Sequence, residues 1–219
     1  MGAYTRLQAV NEMLLFSGET PVTSLDGSSG VDTSIAEQIL DQKTVDAQAR
    51  GMANNLTIRD FTADSSGYLY LPNNILSAEL LTLVSAAHKD VTYARIVTRG
   101  WETGSPYFFN LTDNTATFEA NKTYTAELIL NIDWIEMDTS IQKDIMMQAA
   151  RQYQMLTQGD GAVDNYIAQL ELYYGAKARG SDVRSKGYNL FNLHRNANRA
   201  VSRNVRNDPS RFRHWNLDS

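Results

Sequence analysis

The chain of 219 residues is 42% hydrophobic and 10% aromatic, enough for one large or two small cores, and no apolar run approaches the roughly 20 residues of a membrane helix. It has no cysteine, which excludes disulfides, thiol catalysis and thiolate metal sites. The net charge of −5 is unevenly spread: from Lys177 onward ten Lys and Arg oppose three Asp, so the tail carries +7 and the preceding body −12.

The first residues, MGAYTRLQAVNE, lack a basic segment followed by an apolar stretch and a small-residue cleavage site, so no signal peptide is expected. Thr5 and Gln8 fit a capping box, and Leu7, Val10 and Leu14 line one face of a first helix ending near Ser17-Gly18. Pro21 then fixes an extended loop through GETPVTSLDG. Ser34 and Glu37 suggest a second capping box, with Ile35, Ile39, Leu40 and Ala47 carrying a helix to about Gly51.

From about Asn54 the period changes from helical to alternating. The segments LTIRDFT, GYLYL, VTYARIVTR, YFFNL, ATFEA and YTAELILNIDWIEM read as strands of an antiparallel sheet or small barrel, separated by turn signals. ILSAELLTLVSAAH fits strand and helix equally. Helical signals return at Asp138, where Thr139 and Gln142 suggest a third capping box and Ile141, Ile145, Ala149 and Tyr153 form a row at i+4 spacing. Gly159-Asp160-Gly161 breaks this helix, and Val163, Tyr166, Ile167, Leu170 and Tyr173 form the stripe of a fourth, ending about Gly175 to Gly180.

The fold class is therefore α+β: a discontinuous four-helix bundle (1–53 and 137–180) with an inserted antiparallel β-rich domain (54–136). Residues 181–219 read as a basic, extended C-terminal arm, too poor in apolar residues for its own core and expected to order against a partner.

No constellation points to catalysis. His88, His194 and His214 show no recurrent metal spacing, there is no G-x-S-x-G elbow, and DGSSG at Asp26 to Gly30 has no following Lys to hold a phosphate. Asp133, Glu136, Asp138 and Asp144 could offer acid and base groups, but fit better as acids favoured by a helix amino terminus. Neither a cofactor nor a metal is expected. The arm is the candidate binding element, through Tyr188, Phe191, Arg195, Arg199, Arg203, Arg206, Arg211, Phe212 and Trp215. Interleaved Arg and aromatic residues suit single-stranded nucleic acid, while Arg195, Arg199, Arg203 and Arg206 also fit one face of a short helix against an acidic protein. A protein partner is the favoured reading, and a nucleic-acid-binding arm the alternative.

The stretch Ala9 to Gly27, AVNEMLLFSGETPVTSLDG, resembles the amino-terminal signature of the tail tubular protein A family, the head-to-tail adaptors of short-tailed, podovirus-type bacteriophages. Ala9-Val10-Asn11, Gly18-Glu19, Pro21-Val22 and Ser24-Leu25 carry the likeness. A helix closing on Arg50-Gly51, a β-rich middle with Leu71-Pro72 and a terminal helical pair extend it over residues 4 to 178. Met52 stands where the family often has Trp, and the arm has no residue-level match.

The resemblance implies a structural virion protein that forms a ring, usually a dodecamer, between the portal protein and the tail nozzle protein, with tail fibres attaching near the lower joint. Double-stranded DNA would pass through its channel without specific binding, and no membrane would be involved. Assembly in the host cytoplasm and a final place in the virion tail are the corresponding expectations.

Overall fold

A computed structural model describes residues 4–25, 30–81 and 96–185. It is an α+β structure in which helices α1 (Arg6–Phe16) and α2 (Val31–Gln48) precede strands β1 (Leu56–Thr62), β2 (Ile75–Leu80), β3 (Ile96–Arg99), β4 (Tyr107–Asn110) and β5 (Thr123–Leu130). A 3-10 turn at Trp134–Glu136 leads into α3 (Thr139–Thr157) and α4 (Gly161–Ser185).

The helix ends show which local signals the chain obeys. At α1 the Thr5 side chain accepts from the Gln8 amide and the Gln8 side chain from the Thr5 amide, the expected reciprocal box. Gly18 adopts φ 70°, which lets Glu19 N–H reach Leu14 O at 2.9 Å and Gly18 N–H reach Leu15 O at 3.1 Å, satisfying carbonyls that the ended helix leaves free.

The other two expected boxes do not form. α2 starts earlier, at Val31, with Gly30 as its cap, so Ser34 lies inside the helix and its hydroxyl donates to Gly30 O at 3.1 Å. At α3 the cap is Asp138 rather than Thr139; its carboxylate accepts from Ser140 N at 2.7 Å, because an acid reaches the free first-turn amides and also suits the helix dipole. Gln142, buried, donates instead to Trp134 O.

α3 packs on each of α1, α2 and α4. Its expected row of Ile141, Ile145, Ala149 and Tyr153 is buried together with Met146 and Ala150, against Val10, Met13 and Leu14 of α1, Ile39 and Leu40 of α2, and Ile167 of α4. The stripe expected on α4 is split by this packing. Ile167 is buried and Val163 and Leu170 are partly buried, but Tyr166 and Tyr173 face solvent. Nor does α4 end at Gly175 to Gly180; it continues to Ser185, held at its far end by Ser181 Oγ donating to Asp138 and Asp182 accepting from Ala53 N at 2.6 Å.

Among the described residues the strands form two antiparallel sheets, one ordered β1-β5-β2 and the other β3-β4. β5 is central, and Tyr124, Ala126 and Leu128 alternate inward at the strand period. They share a core with Leu69, Leu71, Ile75 and Phe108. LTIRDFT is β1, as read; β4 takes the first four residues of YFFNL, and the first part of ILSAELLTLVSAAH is a strand. GYLYL and ATFEA are not strands: Tyr70 makes a single bridge to Tyr107, and Thr115, just before ATFEA, one to Asn110.

Two buried amides fasten the point where the chain leaves the helices to the point where it returns. Gln48 donates to Ile132 O at 3.0 Å and accepts from Ile132 N at 2.8 Å. Asn55 donates to Gln48 O and Leu130 O, each at 2.9 Å, and accepts from Met52 N at 2.7 Å. Buried side-chain amides are tolerated only when satisfied in this way, which also makes their geometry specific. Between them Gly51 adopts φ 76°, and a Cβ there would stand 3.2 Å from Ile129 Cδ1.

Candidate interaction surfaces

The residues that carry the family likeness turn out to shape one structural edge. Ala9 and Val10 are fully buried against the other helices, while the neighbouring Asn11 turns its amide to the loop. Its Nδ2 donates to Val22 O at 2.9 Å and its Oδ1 accepts from Val22 N at 2.8 Å, so one side chain serves the loop as a strand partner would. Pro21, lacking an N–H, sits where the bonding passes it by, and Val22 and Leu25 pack against the helical core. Glu19 accepts from the hydroxyl of buried Tyr153 at 2.9 Å, and Gln158 donates to Ser17 O. Burial and the adjacent Glu19 carboxylate both push the Tyr153 phenol well above its ordinary pKa, so it stays a neutral donor. The signature thus builds a fixed loop across the ends of α1 and α3.

The α3–α4 pair is clamped from outside by Arg151, whose guanidinium meets Asp164 at 2.7 and 3.2 Å and Glu171 at 3.2 Å. That pairing holds the Asp164 carboxyl below its ordinary pKa. At the start of α3 the Ser140 hydroxyl, then its amide and Ser181, hold Asp138 below the ordinary carboxylate value. Asp144 shifts the other way, raised chiefly by burial, with Gln148 donating to it at 3.1 Å.

The four acids near α3 therefore divide among separate structural tasks. Asp138 is a cap, Asp144 is half-buried beside Gly175, and Asp133 and Glu136 bracket the 3-10 turn at the surface. Among the described residues no group of three or more His, Asp or Glu is placed to hold a metal ion. Depressions among the described residues are open to solvent, including one lined by Asn54, Asp138 and Ser181, one by Arg6, Asp41 and Trp134, and one by Lys43, Arg151 and Glu171. Each is bordered by residues already engaged in caps or ion pairs, which suits a surface that binds other proteins better than one that traps a small molecule.

Exposed apolar residues mark that surface more clearly than any cleft. Tyr166, Leu172, Tyr173 and Val183 stand out along α4, and Val31, Ile35 and Val45 along α2. On the β side Tyr70 and Trp101 are half-exposed, Tyr70 stacked on Tyr68 at 5.7 Å and Arg99 lying 3.7 Å over the Phe109 ring. Composition alone missed these faces; their signal was apolar side chains on helix positions opposite the buried stripe. The expected arm residues Tyr188, Phe191, Arg195, Arg199, Arg203, Arg206, Arg211, Phe212 and Trp215 lie outside the described residues, as do His88, His194 and His214.

No curated protein matches the chain. A family model described as "Tail tubular protein" matches residues 7–188, from the second residue of α1 through the end of α4. With its signature loop folded as a structural edge, the chain belongs to the tail tubular protein family and is a structural component of a bacteriophage tail.

Proposed function

We propose that this protein is the ring-forming adaptor that joins the portal of the capsid to the tail nozzle and leaves a channel for DNA. The match of the tail tubular family over residues 7–188 carries this reading. The helices 1–53 and 137–180 act as one bundle directed at the portal, the β-rich residues 54–136 face the nozzle, and tail fibres attach near that lower joint. The basic residues 181–219 dock on the portal or a neighbouring copy. A dodecamer is the expected ring, assembled in the host cytoplasm. Its task is symmetric self-association with two different end contacts, which calls for no bound cofactor and no chemistry.

Charge supports a role in DNA passage. A body at −12 lining the channel repels duplex DNA from the wall, whereas a basic lining would retain it through phosphate contacts. The arm's Arg residues then face protein, and a ring with Arg203 and Arg206 pointing into the channel would overturn this arrangement.

The test is the mass of the purified chain, alone and mixed with its portal ring, for the full length and for a truncation after Ser185, where α4 ends. Portal binding by the full chain and its loss on truncation are expected. A monomer indifferent to the portal in both forms would overturn the adaptor and favour the arm as a nucleic-acid binder, recognised by steep salt dependence of oligonucleotide binding.

A further inference from the structure

We propose that neighbouring copies of this chain dock side by side through α2 of one and α4 of the next, each helix offering a charge-free seam to the other. The proposal rests on the ring reading above and names the contact that would build it.

α4 has 25 residues but buries only Ile167, Gly175 and Ala178. On its opposite face Tyr166, Gln169, Tyr173, Ala176, Gly180 and Val183 recur at alternating steps of three and four, and all are exposed. α2 repeats the arrangement: Val31, Ile35, Gln38, Gln42, Val45 and the capping Ala49 follow steps of four and three on the face away from buried Ala36, Leu40 and Ala47. A surface helix ordinarily points charges at water along this face, whereas a three-four alternation without charge is the pattern of a helix seam that meets another helix. Val31 at 74% exposure and Tyr166 and Tyr173 at 57% and 53% leave substantial apolar area in water.

The borders of the seams are complementary in charge. Exposed Asp32 and Asp46 flank the α2 seam, Asp41 beside them being paired with Arg6 at 2.8 Å, and exposed Lys177, Arg179 and Arg184 flank or cap the α4 seam. In paired helices such flanking charges choose the partner and its orientation. The seams do not serve each other within one chain, because α2 and α4 both pack on α3 and each seam lies opposite its own helix's packed face. Two different, mutually complementary faces make a head-to-tail contact, which closes into a ring when the rotation permits. Tyr166 and Tyr173 are the aromatic anchors, and Ala176 and Gly180 let the partner helix come close.

The absence of cysteine makes a clean test possible. Single variants Ile35→Cys and Gln42→Cys on α2, and Gln169→Cys and Ala176→Cys on α4, are prepared in the full chain and treated with a short bis-maleimide. Mixing an α2 variant with an α4 variant should yield covalent dimers that neither gives alone. In parallel, Val45→Asp and Tyr173→Asp should each weaken self-association about ten-fold or more while leaving the monomer's thermal melt unchanged.

Cross-links between like variants would establish a two-fold contact and overturn the head-to-tail pairing. An assembly that survives both Asp substitutions and gives no mixed cross-link would overturn the seams and leave the ring reading standing. A chain that stays monomeric alone and with the portal would overturn both.

Discussion

α3 and α4 are adjacent in sequence, antiparallel neighbours in space and clamped together by Arg151, yet they use their surfaces in opposite ways. α3 buries nine of its 19 residues, so its identity is decided by packing within the chain. α4 buries three of 25; Val163, Leu170 and Tyr174 are partly covered by the helical core, while Tyr166, Leu172, Tyr173 and Val183 stay exposed. Most helical stability in proteins comes from packing an amphipathic face, and α4 draws its own from the single face it lays on α3, leaving the rest of its surface open. The difference teaches that a row of apolar residues at helical spacing identifies a helix without saying which side the fold will bury, nor whether the cover comes from the same chain.

Substitutions test that contrast directly. The largest effect is expected at the centre of α3: Tyr153→Ala removes a fully buried ring and its bond to Glu19 and should cost about 3–5 kcal/mol in denaturant unfolding. Next, Ile167→Ala removes the one large α4 side chain that is fully buried, at about 2–5 kcal/mol, and should release α4 from α3 first by hydrogen exchange. If the two losses prove equal in every probe, α4 is as integral as α3 and the contrast fails.

Asn11→Ala strips Val22 of both its bonds and should cost about 1–3 kcal/mol, with faster amide exchange at Val22 than in α1. Asp138→Ala removes the α3 cap, at about 1 kcal/mol near neutral pH. Because the folded-state pKa of Asp138 is depressed, its contribution is complete above the unfolded carboxylate value of about 3.9 and fades as pH falls through the folded value. Asp138→Asn should therefore flatten the acid limb of the stability profile. The smallest effect belongs to α4's outer face, where Leu172→Ala should change monomer stability by no more than about 0.5 kcal/mol.

Legibility in the sequence followed how local each cause is. β1 matched the segment LTIRDFT residue for residue, since alternation bounded by turns needs no distant partner to be seen. GYLYL had the same signal and became something else: Leu69 and Leu71 are buried, but their backbone meets Phe108 and Pro106 in isolated bonds instead of a ladder. The candidate surface was legible only in part. The AVN and Pro-Val stretch was visible as a unit, but Asn11 bonding Val22 could not be read from an eleven-residue separation.

The sequence by itself determined the helix-sheet-helix order, the box at Thr5 and Gln8, the turn at Gly18, the buried row of α3 and the break at Gly159 to Gly161, because each depends on residues within one or two turns of chain. Only the tertiary structure decided that α4 passes through Gly175 and Gly180 to Ser185. Asp144 stands 3.1 Å from where a Cβ on Gly175 would lie, so that glycine permits close packing on α3 instead of ending the helix, and Asp138 and Ala53 hold the last turn from elsewhere in the chain. It alone also decided which face of α4 is left outward, because burial belongs to the partner helix as much as to the sequence that carries the stripe.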